Sequence, residues 1–268
     1  MRRVGTIGVT GGASAGLAMA ALLWWSSPAA QSPPPLEWQD PGVVGVNKEA
    51  PHATFTIYPD EPSARAGAAA PNGLRSRSPY YQSLNGAWKF HWVPKPADRP
   101  AAFYRTDFDD AAWKTIRVPS NWQFEGYDVP IYVNIKYPWV KVDPPNIPAD
   151  NNPVGSYRRQ FTVPAAWAGR QILLTFDGVE SAFYLWVNGE RVGYSEDSRT
   201  PAEFDITKYV KPGANLVAVE VYRWSDASYL EDQDFFRLSG IFRDVTLWSA
   251  GPLHVRDVEV RAGLDAAY

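Results

Sequence analysis

The feature that most constrains this chain is a repeated alternation of apolar and polar residues. Trp88, Phe90 and Trp92 alternate with Lys89 and His91, and Ile172, Leu174 and Phe176 alternate in the next clear run. Successive side chains of a strand point to opposite faces, so each run predicts a strand with one buried face. Phe183, Leu185 and Val187 lead into Asn188-Gly189, the pair favoured in two-residue hairpin turns. Residues 216–222 are rich in β-branched side chains and follow Pro212-Gly213. Ile241, Val245 and Leu247 share one face of a later strand. Helical periodicity is scarce. The pattern predicts an all-β chain, a jelly-roll β-sandwich of antiparallel strands beginning at Ser83.

Composition narrows the function classes. The net charge of -3 gives no basic excess for nucleic acid and no acidic tract for disorder. There is no cysteine, so disulfides, thiolate chemistry and sulfur-ligated zinc are excluded. The 12 Trp, 14 Tyr and 12 Phe allow two readings. An aromatic face can pack on the C–H face of a sugar, but aromatic residues also favour strands, and core packing accounts for most of these rings.

The ends of the chain differ from its middle. Arg2 and Arg3 precede an uncharged stretch over 4–36, most apolar over 17–25, and Ser27-Pro28-Ala29-Ala30 supplies small residues. This predicts a signal peptide over 1–30 and export to the periplasm or outside the cell, with no membrane association after cleavage. A retained anchor is the alternative, although the apolar part is shorter than the ~20 residues that span a bilayer. Residues 31–82 read as an irregular arm. A loop between Pro138 and Pro153, with further prolines at 144, 145 and 148, is long enough to be functional or disordered. The jelly roll is expected to end at residue 249. Gly251-Pro252 reads as a domain joint, and residues 254–261, where Val258 and Val260 alternate, read as the first strand of a further domain. The sequence stops at Tyr268, too soon to close one, so a longer protein is expected.

No self-contained active site is visible. Nucleophile elbows, phosphate-binding glycine loops and zincin helices are missing from the sequence. His52, His91 and His254 are far apart. Two acid-bearing blocks remain. In residues 224–234, Asp226, Glu231, Asp232 and Asp234 accompany Gln233 and flanking aromatics, a set that can hold a cation or sugar hydroxyls or can simply be a solvated loop. In residues 193–199, Asp197 can pair with Arg199 to fix a turn.

At these blocks the chain resembles the large bacterial β-galactosidases of glycoside hydrolase family 2. The stretches that carry the resemblance are Ser83-Leu84-Asn85-Gly86 with Trp88, Val118-Pro119-Ser120-Asn121-Trp122-Gln123, Pro130-Ile131-Tyr132 with Asn134, and Phe176-Asp177-Gly178-Val179. Arg223 through Asp234 and Ser239-Gly240-Ile241-Phe242-Arg243 continue it. Gly240-Ile241 with Arg243 is shared with β-glucuronidases, whereas Glu231-Asp232-Gln233-Asp234 and residues 130–138 look specifically like β-galactosidases.

The resemblance implies a galactose-binding-like jelly roll, followed in the full enzyme by a pair of immunoglobulin-like sandwiches, a (β/α)8 barrel and a final β-sandwich. Residues 250–268 would begin the first immunoglobulin-like domain. The full enzyme would hydrolyse terminal β-D-galactose from β-galactosides such as lactose or an oligosaccharide, with retention, using a carboxyl pair about 5 Å apart. Both catalytic glutamates are expected in the barrel, so this segment alone is predicted inactive. It would supply part of the galactose pocket. Asn134 and Asp234 match galactose-contacting residues, Ile135 matches a pocket-lining position, and Asp234 also matches a ligand of a sodium ion (Na+). Glu37, Asp40, the Val43 carbonyl, Glu196 and Asp226 match the ligands of a structural magnesium ion (Mg2+), with Glu37, Asp40 and Glu196 standing where the reference pattern has Asp, Asn and Gln. Family members often form homo-oligomers partly through the arm. The competing readings are another family-2 glycosidase, a β-glucuronidase or β-mannosidase, and a free-standing carbohydrate-binding module.

Overall fold

The computed structural model describes residues 36–69, 75–231 and 234–267. The expected signal peptide therefore lies outside the described residues, as do Asp232 and Gln233. In chain order the strands are β1 (Gly45–Val46), β2 (Tyr81–Ser83), β3 (Gly86–Val93), β4 (Lys114–Val118), β5 (Ile131–Val133), β6 (Val154–Val163), β7 (Gln171–Phe176) and β8 (Val179–Glu180). They continue with β9 (Ala182–Val187), β10 (Glu190–Ser195), β11 (Ala202–Asp205), β12 (Gly213–Tyr222), β13 (Phe235–Arg237), β14 (Gly240–Ile241) and β15 (Val245–Ala250).

Two antiparallel sheets pack face to face. The larger has the order β1-β10-β9-β12-β6-β3-β4 and the smaller the order β11-β7-β15-β2. Neighbours that are distant in sequence, such as β12 between β9 and β6, mark the crossing connections of a jelly roll. Two short ribbons, β5–β13 and β8–β14, lie outside these sheets.

The alternation seen in the sequence fills the space between the sheets. Trp88, Phe90, Tyr157, Leu185, Val187, Val217 and Val219 from the larger sheet share one core with Ile172, Leu174, Phe176, Phe204, Val245 and Leu247 from the smaller. The hairpin between β9 and β10 turns at Asn188 (φ 53°) and Gly189 (φ 90°), and Val187 pairs with Glu190 across it. Positive φ at both residues is what a type I′ turn needs.

On β9, β10 and the end of β12 the intervening residues are aromatic too, whereas β3 and β6 place Lys89, His91, Ser156 and Arg158 on that outer face. Tyr184, Tyr194 and Tyr222 are buried with Trp38, Trp224, Tyr229 and Ile147 in a second cluster. The indole of Trp38 stacks on Tyr222 at 5.2 Å, and Trp139 meets both Trp224 and Tyr229 edge-on. This end of the larger sheet is thus covered on both faces, its outer one by the arm and by the proline-rich loop. That loop is packed: Asn152 exchanges two hydrogen bonds with the Trp224 backbone (2.8 and 2.9 Å), and the Tyr229 hydroxyl donates to the Asn146 carbonyl at 2.7 Å.

Three details differ from the sequence reading. The arm is not wholly irregular: it carries β1, β2 and a helix, α1 (Glu61–Ala68), capped by Asp60, whose carboxylate accepts from the Ser63 backbone at 2.8 Å. The sheets also reach back before Ser83: β2 pairs with β15 in the smaller sheet, and β1 pairs with β10 at the edge of the larger one. Lastly, residues 254–261 form no strand. A strand needs a neighbouring ladder, and this segment is instead held by side chains, with Asp257 accepting from the Ala53 backbone at 2.8 Å and Arg256 reaching Glu49 at 3.3 Å. Among the described residues no helix is long and apolar enough to cross a membrane.

If the outer aromatic layer contributes to stability, Trp38→Ala should cost about 3–5 kcal/mol, the usual range for truncating a buried large aromatic. Urea unfolding of the variant beside the parent measures this, and a loss under about 1 kcal/mol would show that the arm merely rests on the sheet.

Candidate functional site

The ribbon of β5 and β13 assembles the expected sugar-facing residues. Ile131 pairs with Arg237, Tyr132 with Phe236 and Val133 with Phe235. One step further along each strand stand Asn134 and Asp234, so residues a hundred positions apart meet at the ribbon tip. Both are exposed, and Ile135 beside them is 81% exposed. The Tyr132 hydroxyl donates to Asp234 Oδ1, and this hydrogen bond raises the Tyr132 phenol above its ordinary range. The Tyr132 and Phe236 rings meet edge to face at 5.5 Å. The result is an open surface with a carboxylate, an amide and aromatic faces. Carboxylate oxygens accept from hydroxyls and bind cations, and aromatic faces suit apolar ring surfaces. Tyr132 was not among the expected site residues. Its place one position before Val133, on the same face as the Asp234 carboxylate, follows from the register, which the sequence alone does not give.

The acidic block 224–234 is mostly an internal structure, not a solvated loop. A short 3-10 turn, Asp226–Tyr229, is capped reciprocally by Ser225 and Ser228. Glu231 accepts from the Ser198 backbone at 2.8 Å and from its hydroxyl at 2.7 Å, tying the block to the turn after β10. Asp226 points inward and is buried.

The five residues matched to a structural cation are brought together only in part. Glu196 is 3% exposed, accepts from the Tyr194 hydroxyl and lies against the Asp226 carboxyl. Burial, and then that neighbouring carboxyl, push Glu196 up to about 9. One Asp226 oxygen is buried without a partner. The 40–44 turn runs alongside: the Val44 carbonyl accepts from the Glu196 backbone at 3.1 Å, and the Asp40 carbonyl accepts from the Val43 backbone at 2.8 Å. Glu37 departs from the expectation. Its longer side chain reaches Tyr184 at 2.9 Å and pairs with Arg191, so its oxygens are engaged elsewhere. Among the described residues no group of three or more His, Cys, Asp or Glu side chains is arranged to hold a metal ion. What remains, two buried facing carboxyls with an unpartnered oxygen, is an all-oxygen donor set that suits a hard divalent cation.

Arg199 also departs from the sequence reading. Its guanidinium does not pair with Asp197 but reaches Glu180 at 3.3 Å and lies over the rings of Phe235 (5.0 Å) and Phe242 (4.9 Å). Asp197, at φ 79°, accepts from the Arg199 backbone and the Thr200 hydroxyl and so fixes the turn by itself. Burial pushes Glu180 up to about 7, with Arg199 opposing it.

The three histidines stay apart. His91 stacks on Trp113 at 5.2 Å. His52 meets Glu203 at 3.2 Å in a cavity of about 260 Å³ between residues 49–57 and the smaller sheet. The polar side chains there satisfy one another: Glu203 also accepts from Thr175 (2.8 Å) and Trp248 (2.7 Å), and Arg75 pairs with Asp177 at 3.1 Å.

The chain has clear relatives. Residues 81–251 match the family described as glycosyl hydrolases family 2, sugar binding domain. The chain is 49% identical over 236 residues to the β-galactosidase of Priestia megaterium, a span that is 87% of this chain and 22% of that protein. It is 48% identical over 232 residues to the β-galactosidase of Photobacterium profundum, again 87% of this chain and 22% of that protein. The chain therefore spans about a fifth of the length of these relatives. A solved β-glucuronidase from an uncultured Clostridium superposes with a TM-score of 0.51 at 22% identity, over 69% of this chain and 31% of that one, a likeness of fold alone. With 171 consecutive positions inside the family's pattern, more than half of the sequence, the chain belongs to glycosyl hydrolase family 2 and carries that family's sugar-binding domain.

Proposed function

We propose that this chain is the sugar-binding front part of an exported, retaining β-galactosidase, in which it supplies one wall of the galactose pocket. The observation that carries this reading is the ribbon tip, where Asn134 and Asp234 stand side by side with Ile135 and the Tyr132 ring. The identity of nearly half over 87% of the chain to proteins named β-galactosidase supports the choice of sugar. The tip is open, and a pocket that discriminates sugars buries most of its ligand, so further walls and the catalytic carboxyl pair belong to a later domain. The substrate is a β-galactoside such as lactose or an oligosaccharide. Export through residues 1–30 and homo-oligomerisation of the full-length enzyme are part of the same proposal.

Two cations belong to it as well. Sodium at Asp234 would supply a positive charge that orients a sugar hydroxyl. Asp234 would accept from that hydroxyl while Tyr132 holds its other side. Magnesium would be held by Glu196 and Asp226 with Asp40 and the Val43 carbonyl, and would neutralise the buried carboxyl pair that links the arm to the sandwich.

The first test uses the full-length protein that contains this chain. It should hydrolyse a chromogenic β-galactoside and leave the β-glucuronide nearly untouched; the opposite preference would overturn the reading. In that enzyme Asp234→Asn keeps the shape and removes the charge. Losing a charge-assisted hydrogen bond costs about 1.5–3 kcal/mol, or roughly 10- to 150-fold in kcat/KM. A substrate lacking the 6-hydroxyl should lose far less, and the response to sodium should weaken. If neither the 6-hydroxyl preference nor the sodium response changed in a folded variant, Asp234 would be only a loop residue.

The magnesium site has its own readout. Adding magnesium after chelator treatment should raise the thermal midpoint of the parent protein, and Asp226→Asn should abolish the rise. An equal rise in both would place the ion elsewhere.

A further inference from the structure

We propose that Arg223 is a positioning residue that sets the place of the ribbon tip, and through it the sugar contacts of Asn134 and Asp234. The inference rests on the reading of that tip as the galactose wall. It begins from a mechanical problem. The ribbon is three residue pairs long, belongs to neither sheet, and ends in exposed side chains. A lone two-stranded ribbon is marginal in water, so its position has to be imposed from outside.

Arg223 stands where it can do this. It follows β12 directly, is 2% exposed, and is fixed to the sandwich by its backbone, which donates to the Pro153 carbonyl at 2.9 Å. Its guanidinium then spans both strands at the root of the ribbon. One arm pairs with the Asp128 carboxylate. The other donates to the Val129 carbonyl at 3.0 Å and to the Arg237 carbonyl at 3.2 Å. Val129 lies two residues before Ile131, and Ile131 pairs with Arg237. A single side chain therefore ties the chain entering β5 to the chain leaving β13, and the free end of this short lever carries Asn134 and Asp234.

Asp128 adds a second constraint. It sits at φ 61°, in the left-handed region that Asp and Asn tolerate better than most residues, and its carboxylate accepts from the Val129 backbone at 2.8 Å as well as from Arg223. The bend that aims β5 is thus held by the same ion pair. Further out, the ring of Phe235 packs against the guanidinium of Arg237 (4.5 Å) and that of Arg199 (5.0 Å), which helps to fix the strand next to Asp234. A planar fork is required at position 223, because an ammonium group cannot reach a carboxylate and two carbonyls in a fixed plane.

The test uses the full-length enzyme with Arg223→Lys, Asp128→Gly and Asp128→Asn. Asp128→Gly keeps the left-handed backbone and deletes the partner, whereas Asp128→Asn keeps an acceptor for Arg223. A misplacement of about 1 Å costs on the order of 100-fold in rate. Arg223→Lys and Asp128→Gly should therefore lower kcat/KM for a β-galactoside at least about tenfold, and should lower it far less for the 6-deoxy substrate. Asp128→Asn should restore most of the 6-hydroxyl preference. If Arg223→Lys does not fold, Asp128→Gly decides the matter by the same ratio. Loss of thermal stability with an unchanged 6-hydroxyl preference would overturn the positioning role. A parent enzyme that leaves β-galactosides untouched would instead overturn the galactosidase reading, whatever the variants do.

Discussion

At its β9–β10–β12 end the larger sheet is apolar on both faces, and much of the remaining architecture answers to that fact. Along β9 and β12 the residues directed at the smaller sheet are Phe183, Leu185, Val217 and Val219, and those directed away are Tyr184, Trp186 and Tyr222, with Glu220 the one charge among them, buried and paired with Arg99. A sheet with one wet face would show polar residues in the second set. Here the outer face has to be covered, and two segments do it: the arm, through Trp38, and the 137–152 loop, through Trp139 and Ile147. The five prolines around this loop limit the conformations it must give up on packing, so a long irregular segment can be ordered at lower entropic cost.

That covering layer places the cation candidates. The arm carries Asp40 and Val43 to the end of β10, where Glu196 sits, and the turn after β12 carries Asp226 to the same place. The stacking of Trp38 on Tyr222 and the pairing of β1 with β10, where Gly45 faces Ser195, together bring residues near 40 to residues near 196 and 226. Glu37 is adjacent in sequence to the stacked indole, but it is drawn to Arg191 and Tyr184 on the neighbouring strands, where its charge is paired and hydrogen-bonded. Even a partly buried carboxylate takes a partner that compensates its lost hydration.

How far this was legible in the sequence depends on how local each signal is. Strands such as β7, β9 and β12, and the turn at Asn188-Gly189, are written in neighbouring residues and were readable. Asn134, Ile135 and Asp234 could be named from the family pattern, but their meeting at one ribbon tip depends on a register between segments a hundred residues apart. The helix α1 escaped because Glu61–Ala68 has Pro, Gly and Ala and little apolar surface to form a stripe. The strand expected over 254–261 had the right alternation but lacks a ladder neighbour, and Val258 and Val260 remain exposed. Arg199 went to Glu180 and two aromatic rings instead of to Asp197, a choice decided by the fold, since Asp197 is nearest in sequence and Phe242 is not.

The acidic residues divide along the same lines. Glu180, Glu196 and Glu231 are turned into the protein or its turns, where burial is answered by Arg199, by Tyr194 and by Ser198 respectively. Their oxygens are engaged in holding these turns and strands together. Asp234 alone of the described acids in its block stands on the exposed tip, with a single phenol hydroxyl on one oxygen and open surface on the other side. An acid meant to bind a ligand has to keep acceptor capacity free and has to be held still, and these demands conflict when the acid's own side chain supplies the anchoring. In this domain the anchoring is moved one step back: Arg223, Asp128 and the Phe235 stack hold the strands, so the Asp234 carboxylate does not have to hold itself.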